Sequence, residues 1–297
     1  EPVNVSQAMS AFGLEVVLRG LFSDDMDRLI DEHGGNPFSI FTDDSARDLN
    51  LAVKFRALIK LIQGVIDRRR ERQAGTVDML AALMASRDLQ GRPMSDKALI
   101  DELMTLIVAG HETSAVNLTW MWHLLGHYPA VEALLHAEVD NLPYAQSPGF
   151  SDLPGLEYAK QIMFETMRLY PPVWLFSRKA LQEDWVPGGH IPAGSDIFIS
   201  PYFLHRRDDF WPDPERFEPQ RFTEAETEHR HRTAYIPFSA GPRKCIGDVF
   251  STVEMQIHFG TIARKLRLRP APEQKIELEP AINLRSKHHI IMIPELR

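Results

Sequence analysis

The 297-residue chain is 44% hydrophobic and 25% charged and carries a net charge of −8. That is the composition of a globular protein with ample core, of one large domain or two, and it excludes a disordered or low-complexity chain. The acidic balance leaves no basic stripe for nucleic acid. The longest strong apolar run, residues 103–110, is far shorter than the roughly 18 residues of a membrane span. A single cysteine, Cys245, rules out an internal disulfide and argues against a zinc–thiolate cluster. The chain starts at Glu1 with neither Met nor a signal-peptide pattern, so it reads as a processed chain or a fragment.

Helical patterns fill the first half. Val5, Met9, Phe12, Val16 and Leu21 predict a helix over 5–21. After a loop around His33–Pro37, a stripe of Leu51, Phe55, Leu58, Ile62 and Ile66 predicts a long helix over 45–73. It ends in Arg68, Arg69 and Arg70, where a helix C-terminus favours positive charge and a solvated face is expected. A shorter helix over 76–85 follows. Ser95 and Asp96 look like the N-cap of the most apolar helix, 96–127, which at ~1.5 Å per residue spans about 45 Å. Pro129 starts another helix, and one over 156–170 is stopped by Pro171 and Pro172.

Beyond that point prolines and glycines crowd in. Short alternating runs, such as 190–196 followed by 197–199, predict small hairpins and edge strands. An irregular stretch over 201–242 leads to Cys245, a helix is expected over 248–266, and strands around Ile276 and 288–293. There is no internal repeat and no clear linker. The expected fold class is mainly α with minor β, in a single domain over 1–297.

The lone thiol lies in Phe238-Ser-Ala-Gly241-Pro-Arg243-Lys-Cys245-Ile-Gly247, a glycine-flanked turn ahead of a helix. Backbone N–H groups there can donate to sulfur, Gly241 and Gly247 let the backbone pass close to something flat, and Arg243 can reach an anion. A lone Cys is ordinarily a small buried hydrophobe. The pattern F-x-x-G-x-R-x-C-x-G, however, fixes five residues, and at roughly 5% each it arises by chance on the order of once in 10⁴ chains of this length. The segment resembles the haem-binding loop of the cytochrome P450 superfamily, the haem-thiolate monooxygenases.

Other segments follow the order of that family. Ala109-Gly110-His111-Glu112-Thr113, inside the long apolar helix, matches A-G-x-[DE]-T. The bland reading is a Thr hydroxyl bonded to the carbonyl four residues back. The functional one is a widened turn at Gly110 that makes room for dioxygen, with Thr113 and Glu112 handling water and protons. Glu165 and Arg168 match E-x-x-R at a spacing that shares one helix face. About one such match is expected by chance, and Glu218 with Arg221 is a second; position before the Pro171-Pro172 stop favours the first. Phe217-Glu-Pro-Gln220-Arg221-Phe222 resembles F-x-P-E-R-F with Gln220 in place of Glu.

The resemblance implies a triangular, helix-rich fold with small sheets, one haem b, and an N-terminal part of the family fold lying upstream of Glu1. It implies Cys245 as the axial thiolate to iron, Arg243 and Arg178 as propionate partners, and Phe238, Gly241, Gly247, Ala109 and Gly110 along the haem. Glu165, Arg168 and Arg221 would form a structural ionic network. The apolar residues Val108, Val173, Trp174, Leu175, Phe176 and Ile282 would wall a hydrophobic substrate. The expected activity inserts one oxygen atom of O2 into a C–H bond, with electrons from a separate ferredoxin, flavodoxin or reductase and NAD(P)H involved only through it. Rival readings are a peroxide-driven peroxygenase, a haem-thiolate isomerase and a non-catalytic or incomplete haem protein. Glu112 and Thr113 favour the oxygen-activating route. A bacterial, cytoplasmic protein is expected, with a membrane anchor upstream of Glu1 left open.

Other candidates fail on spacing. H-E-x-x-H would need His where Ala115 stands. His123 with His127, His229 with His231, and His288 with His289 lack further ligands nearby in sequence. No P-loop or G-x-G-x-x-G marks a nucleotide, flavin or nicotinamide site.

Overall fold

The computed structural model describes residues 1–42, 51–72 (side chains from 55), 77–143 and 147–297. In chain order its elements are β1 (Val3–Asn4), α1 (Val5–Phe22), α2 (Asp25–His33), α3 (Leu51–Arg72), α4 (Met79–Ala85), α5 (Asp96–His127), α6 (Pro129–Asp140) and α7 (Glu157–Leu169). Then come β2 (Phe176–Lys179), β3 (Asp184–Val186), β4 (Gly189–Ile191), β5 (Asp196–Ile199), α8 (Pro201–Leu204), α9 (Glu224–Glu228) and α10 (Asp248–Ile262). Strands β6 (Leu266–Pro270), β7 (Leu278–Pro280), β8 (Leu284–Ser286) and β9 (Ile291–Leu296) complete the chain. The mainly helical reading with minor β structure therefore holds. The contacts divide the chain into two compact units, residues 7–115 and residues 1–6 with 116–297. Helix α5 contributes to both.

In the 7–115 unit, α1, α2, α3, α4 and the first part of α5 bury one apolar core. Leu14, Leu18, Phe22, Met26, Ile62, Ile66, Leu103 and Ile107 belong to it, and Phe22 stacks on Phe38 with centroids 5.9 Å apart. Helix α2 was not foreseen; its stripe Met26 and Leu29 is nearly fully buried, but lies among five acidic residues that mask the pattern. The basic run at the end of α3 is not wholly solvated. Arg69 turns inward, bonding Asp25 at 2.5 Å, Asp78 at 2.6 Å and the Phe22 carbonyl at 2.9 Å. A guanidinium satisfied by two buried carboxylates and a carbonyl costs less to bury than to leave them unpaired. Asp78 also caps α4 through the Ala81 N–H, so this helix starts at Met79; residues 45–50, 73 and 76, where the sequence placed helix ends, lie outside the described residues.

The larger unit is built on the C-terminal part of α5 with α6, α7 and α10. Trp120, Trp122, Trp211 and Phe259 are almost wholly buried there. Trp122 stacks on Phe259 at 4.5 Å and donates its indole N–H to His258 Nε2 at 2.9 Å. An antiparallel sheet of order β1–β9–β6 joins the chain start to its end, with Val3 opposite Met292 and Leu266 opposite Leu296. Gly126 on α5 permits close packing against it: a Cβ there would lie 2.7 Å from Met292 Cε, 3.0 Å from Pro270 Cδ and 3.2 Å from the Leu268 carbonyl.

The run 190–199 holds the short paired strands expected of it: β4 pairs with β3, and β5 pairs with β2 in the register Phe176–Ile199 to Lys179–Asp196. Helix α10 stops at Ile262, because the apolar alternation around Leu266 and Leu268 belongs to strand β6. The stretch 201–242 is interrupted by the short helices α8 and α9.

Candidate active site

The Cys245 loop is a set of turns closed on themselves. Ser239 (φ 62°) and Gly241 (φ 74°) both occupy the left-handed region, which costs a non-glycine residue energy unless its surroundings hold it. The Cys245 N–H donates to the Phe238 carbonyl at 2.9 Å and the Lys244 N–H to the Gly241 carbonyl at 3.0 Å. The Gly247 N–H, at the mouth of α10, donates to Cys245 Sγ at 3.3 Å. Lys244 pairs with Asp248 at 2.6 Å and ties the turn to the first residue of α10. The thiol is exposed, as is Arg243.

Strand β2 delivers a second arginine to this loop. Arg178 donates to Ser239 Oγ at 2.7 Å and to the Ser177 carbonyl at 2.9 Å, and its guanidinium lies 4.7 Å from the Phe176 ring centre. A Cβ built on Gly241 meets nothing within 4 Å, and Ile246 beside the sulfur is 88% exposed. A soft sulfur donor supported by one amide, two arginines on the same loop system and an uncluttered glycine fit a flat, apolar, dianionic macrocycle ligated through its metal. The residues present thus suit haem.

Behind the loop stands a buried polar network. Glu165 and Arg168 on α7 have fully buried side chains and form two parallel bonds of 2.7 and 2.9 Å. Arg168 spends its remaining donors on the carbonyls of His205, Pro214 and Arg216. The Glu218 N–H donates to Glu165 at 2.8 Å. Burial pushes the Glu165 carboxyl above the usual carboxylate range, against the pull of the Arg168 hydrogen bonds. Arg221 joins less tightly: its Nε is 3.5 Å from Glu165 without a hydrogen bond, while Nη2 contacts Glu218 at 3.3 Å and the Asp213 carbonyl at 3.1 Å. Gln220, where the family motif has Glu, points to Tyr158 at 3.5 Å.

His205 is the member that the sequence reading missed. Its carbonyl accepts from Arg168, and its Nε2 accepts the Ile236 N–H at 2.9 Å. Burial drives the imidazole down to about 3, which keeps that nitrogen an acceptor. The contacts therefore run from Glu165 through Arg168 and His205 to Ile236, in the irregular segment that enters the Cys245 loop. No local pattern marks His205; its role exists only because the chain folds back on α7.

The oxygen-side candidates belong to the 7–115 unit. The expected widened turn at Gly110 is absent: α5 is α-helical throughout Asp96–His127. Thr113 Oγ1 donates to the Ala109 carbonyl at 2.8 Å, a bond that an ordinary α-helical turn accommodates. Gly110 serves packing, since a Cβ there would come 3.0 Å from Val17 Cγ2 on α1. Val108 and Ala109 are exposed, and Glu112 and Thr113 half-buried, whereas Ile107, His111 and Ser114 are buried. His111 lies near Phe41, and its imidazole is depressed by burial.

Four of the other wall candidates lie together on the 173–176 segment, where Val173 and Leu175 are each 38% exposed. Trp174 Nε1 donates to the Ala281 carbonyl at 2.9 Å, which brings the turn bearing Ile282 to that segment; Val108 belongs to the other unit. The histidine pairs do not assemble metal sites. His127 Nδ1 lies 2.8 Å from the His123 carbonyl, burial lowers His123 to about 4, and no group of three or more metal-ligating side chains occurs among the described residues.

Fold and loop together point to one protein family. The profile described as Cytochrome P450 matches residues 35–292, and the chain belongs to the cytochrome P450 family. It is 38% identical to cyclooctatin synthase of Streptomyces melanosporofaciens, over all of this chain and 68% of that protein. It is 36% identical to cyclooctat-9-en-7-ol 5-monooxygenase of the same organism, over 91% of this chain and 62% of that one. The crystal structure of the cytochrome P450DA heme domain superposes with a TM-score of 0.87 at 24% identity, covering 100% of this chain and 69% of that structure. The likeness to that structure is one of fold.

Proposed function

We propose that the chain, as a single haem domain over 1–297, inserts one oxygen atom of O2 into a C–H bond of a hydrophobic small molecule. The observation that carries this reading is the Cys245 loop, with sulfur exposed and accepting the Gly247 amide. When bound through Cys245, haem b would supply the oxygen-activating chemistry, the thiolate favouring O–O cleavage. Arg178 and Arg243 would hold its carboxylates; Phe238, Gly241 and Gly247, and Ala109 and Gly110 of the 7–115 unit, are the other residues proposed to bind it. The Gly247 N–H shares the charge on sulfur and keeps the side chain in one orientation.

On the oxygen side, Thr113 and Glu112 are the proposed proton handlers. The Thr113 hydroxyl is committed as donor to the Ala109 carbonyl, so its lone pairs are available to accept from a bound water. Glu112, one residue earlier and half-buried, would exchange protons with that water and solvent. These two side chains favour use of O2 over use of peroxide. The 173–176 segment, Ile282 and Val108 would exclude water around the substrate. Its proposed class is an apolar, alkene-bearing molecule, in line with the name of the second relative, a monooxygenase of cyclooctat-9-en-7-ol.

Electrons would come from a separate ferredoxin, flavodoxin or reductase fed by NAD(P)H. An open groove of about 870 Å³ next to the Cys245 loop, lined by Lys160, Arg230, Arg232, Lys244 and Val249 among others, is the proposed docking face. No helix among the described residues is long and apolar enough to cross a membrane. Reconstitution with a reductase, NAD(P)H and apolar alkenes tests the reading: substrate-dependent oxygen uptake with a hydroxylated product is expected. Haem loading without such uptake would support a non-catalytic haem protein instead. Thr113→Ala should raise the fraction of electrons lost to hydrogen peroxide; unchanged coupling would remove Thr113 from the proton path.

A further inference from the structure

We propose that Trp174 is a positioning residue: its indole N–H braces the Ala281–Asn283 turn and sets how far Ile282 reaches into the substrate volume. The proposal rests on the haem-thiolate reading, but its physical basis is separate. Segments 172–174 and 281–284 are joined by two bonds of opposite direction. Trp174 Nε1 donates to the Ala281 carbonyl, and the Leu284 N–H donates to the Pro172 carbonyl, each at 2.9 Å. Two more bonds anchor the pair. Ser200 Oγ donates to the Trp174 carbonyl at 2.8 Å, and Trp120 Nε1 donates to the Leu284 carbonyl at 2.9 Å. Trp120 is itself 1% exposed and stacked on Tyr170 at 4.3 Å.

Within itself the turn is closed only by the Ala281 N–H, shared between the carbonyls of Glu279 at 3.0 Å and Asn283 at 3.3 Å. Strands β7 and β8 have three residues each and pair only with one another, and an isolated two-stranded ladder is marginal in water. Ile282, at the tip, is 88% exposed, so its own packing does not fix it. An indole N–H with a carbonyl partner is directional, which makes the Trp174 bond the tie from the 172–174 segment that lies nearest the tip. Trp174 is therefore more than a panel of apolar wall. Its chain neighbours are Val173 and Leu175, while its polar edge bonds a residue on another segment.

Trp174→Phe keeps the ring bulk and removes the donor; Trp174→His restores a ring N–H. In the full chain without haem, hydrogen exchange across residues 278–286 should quicken about fivefold in Trp174→Phe, the size of one lost hydrogen bond, and less in Trp174→His. In the haem-loaded chain, 4-phenylimidazole, large enough to touch the wall, should bind about fivefold more weakly in Trp174→Phe. Imidazole, too small to reach it, should bind unchanged. Combining Trp174→Phe with Ile282→Ala should cost less than the two separately, because both act through one contact. Unchanged exchange in Trp174→Phe, equal shifts for both probes, or strict additivity with Ile282→Ala would overturn the proposal. Quickened exchange in a protein that lacks the red-shifted band of reduced, CO-treated haem-thiolate would uphold the brace while overturning the haem reading.

Discussion

Arg168 illustrates how a single side chain acts at this site. Its guanidinium serves one carboxylate and three carbonyls without touching solvent, so its contribution is geometric: it holds α7, His205 and the 214–216 segment in one arrangement. The thiol loop was legible because its stereochemistry demands particular residue types in a fixed order, Gly241 with φ 74° among them. His205 and His258 were not, since each acquires its role from partners far away in the chain. His258 makes a direct prediction. Burial holds its imidazole at about 4 while Nε2 accepts the Trp122 indole N–H, against roughly 6.5 in an unfolded chain. Between those values the unfolded state takes up a proton that the folded state refuses. This histidine therefore lowers stability as pH falls from 6.5 towards 4, by about 1.4 kcal/mol per pH unit. Denaturation midpoints measured over that range should fall less steeply in His258→Gln, whose amide oxygen can still accept from Trp122; identical slopes would contradict the assignment.

At the level of elements, α5 was the best-read part of the chain. Its bounds of Asp96 and His127 agree with the sequence signals, because Ser95 accepts the Ala98 N–H as cap and Pro129 starts the next helix. What periodicity does not reveal is how closely a neighbour approaches. Gly110 was read as chemistry, and the structure adds a packing reason for it, the close approach of α1, while the turn beneath Thr113 is an ordinary α-helical one. Gly126 carries the same lesson in the other unit. Alanine there would gain about 1 kcal/mol of helix propensity, but its Cβ would meet the Leu268 carbonyl, Pro270 and Met292. Overpacking of that kind costs about 1–3 kcal/mol, so thermal unfolding of Gly126→Ala should show net destabilisation. A stabilised variant would mean that β6 and β9 yield. Pairing of short strands was unevenly legible: β3 and β4 are joined by the two-residue turn Pro187-Gly188, a local signal, whereas β2 and β5 are separated by that hairpin, and runs of four residues fit several partners.

For the molecule as a whole, family and fold class were readable because several weak motifs occur in a consistent order, each supporting the next. The division into residues 7–115 and residues 1–6 with 116–297 was not readable, as the boundary falls inside the continuous helix α5. The proposed site residues are divided accordingly. Cys245, Arg178, Arg243 and the Glu165–Arg168 network belong to one unit, and Ala109, Gly110, Glu112 and Thr113 to the other. Everything proposed for both groups depends on Cys245 holding iron. The most direct measurement is the absorption spectrum of the haem-incubated chain, reduced and treated with CO, beside that of Cys245→Ser. The account predicts the strongly red-shifted haem-thiolate band in the parent chain and its loss, with reduced haem content, in the variant. No such band in the parent, or a spectrum and haem content unchanged by Cys245→Ser, would contradict it.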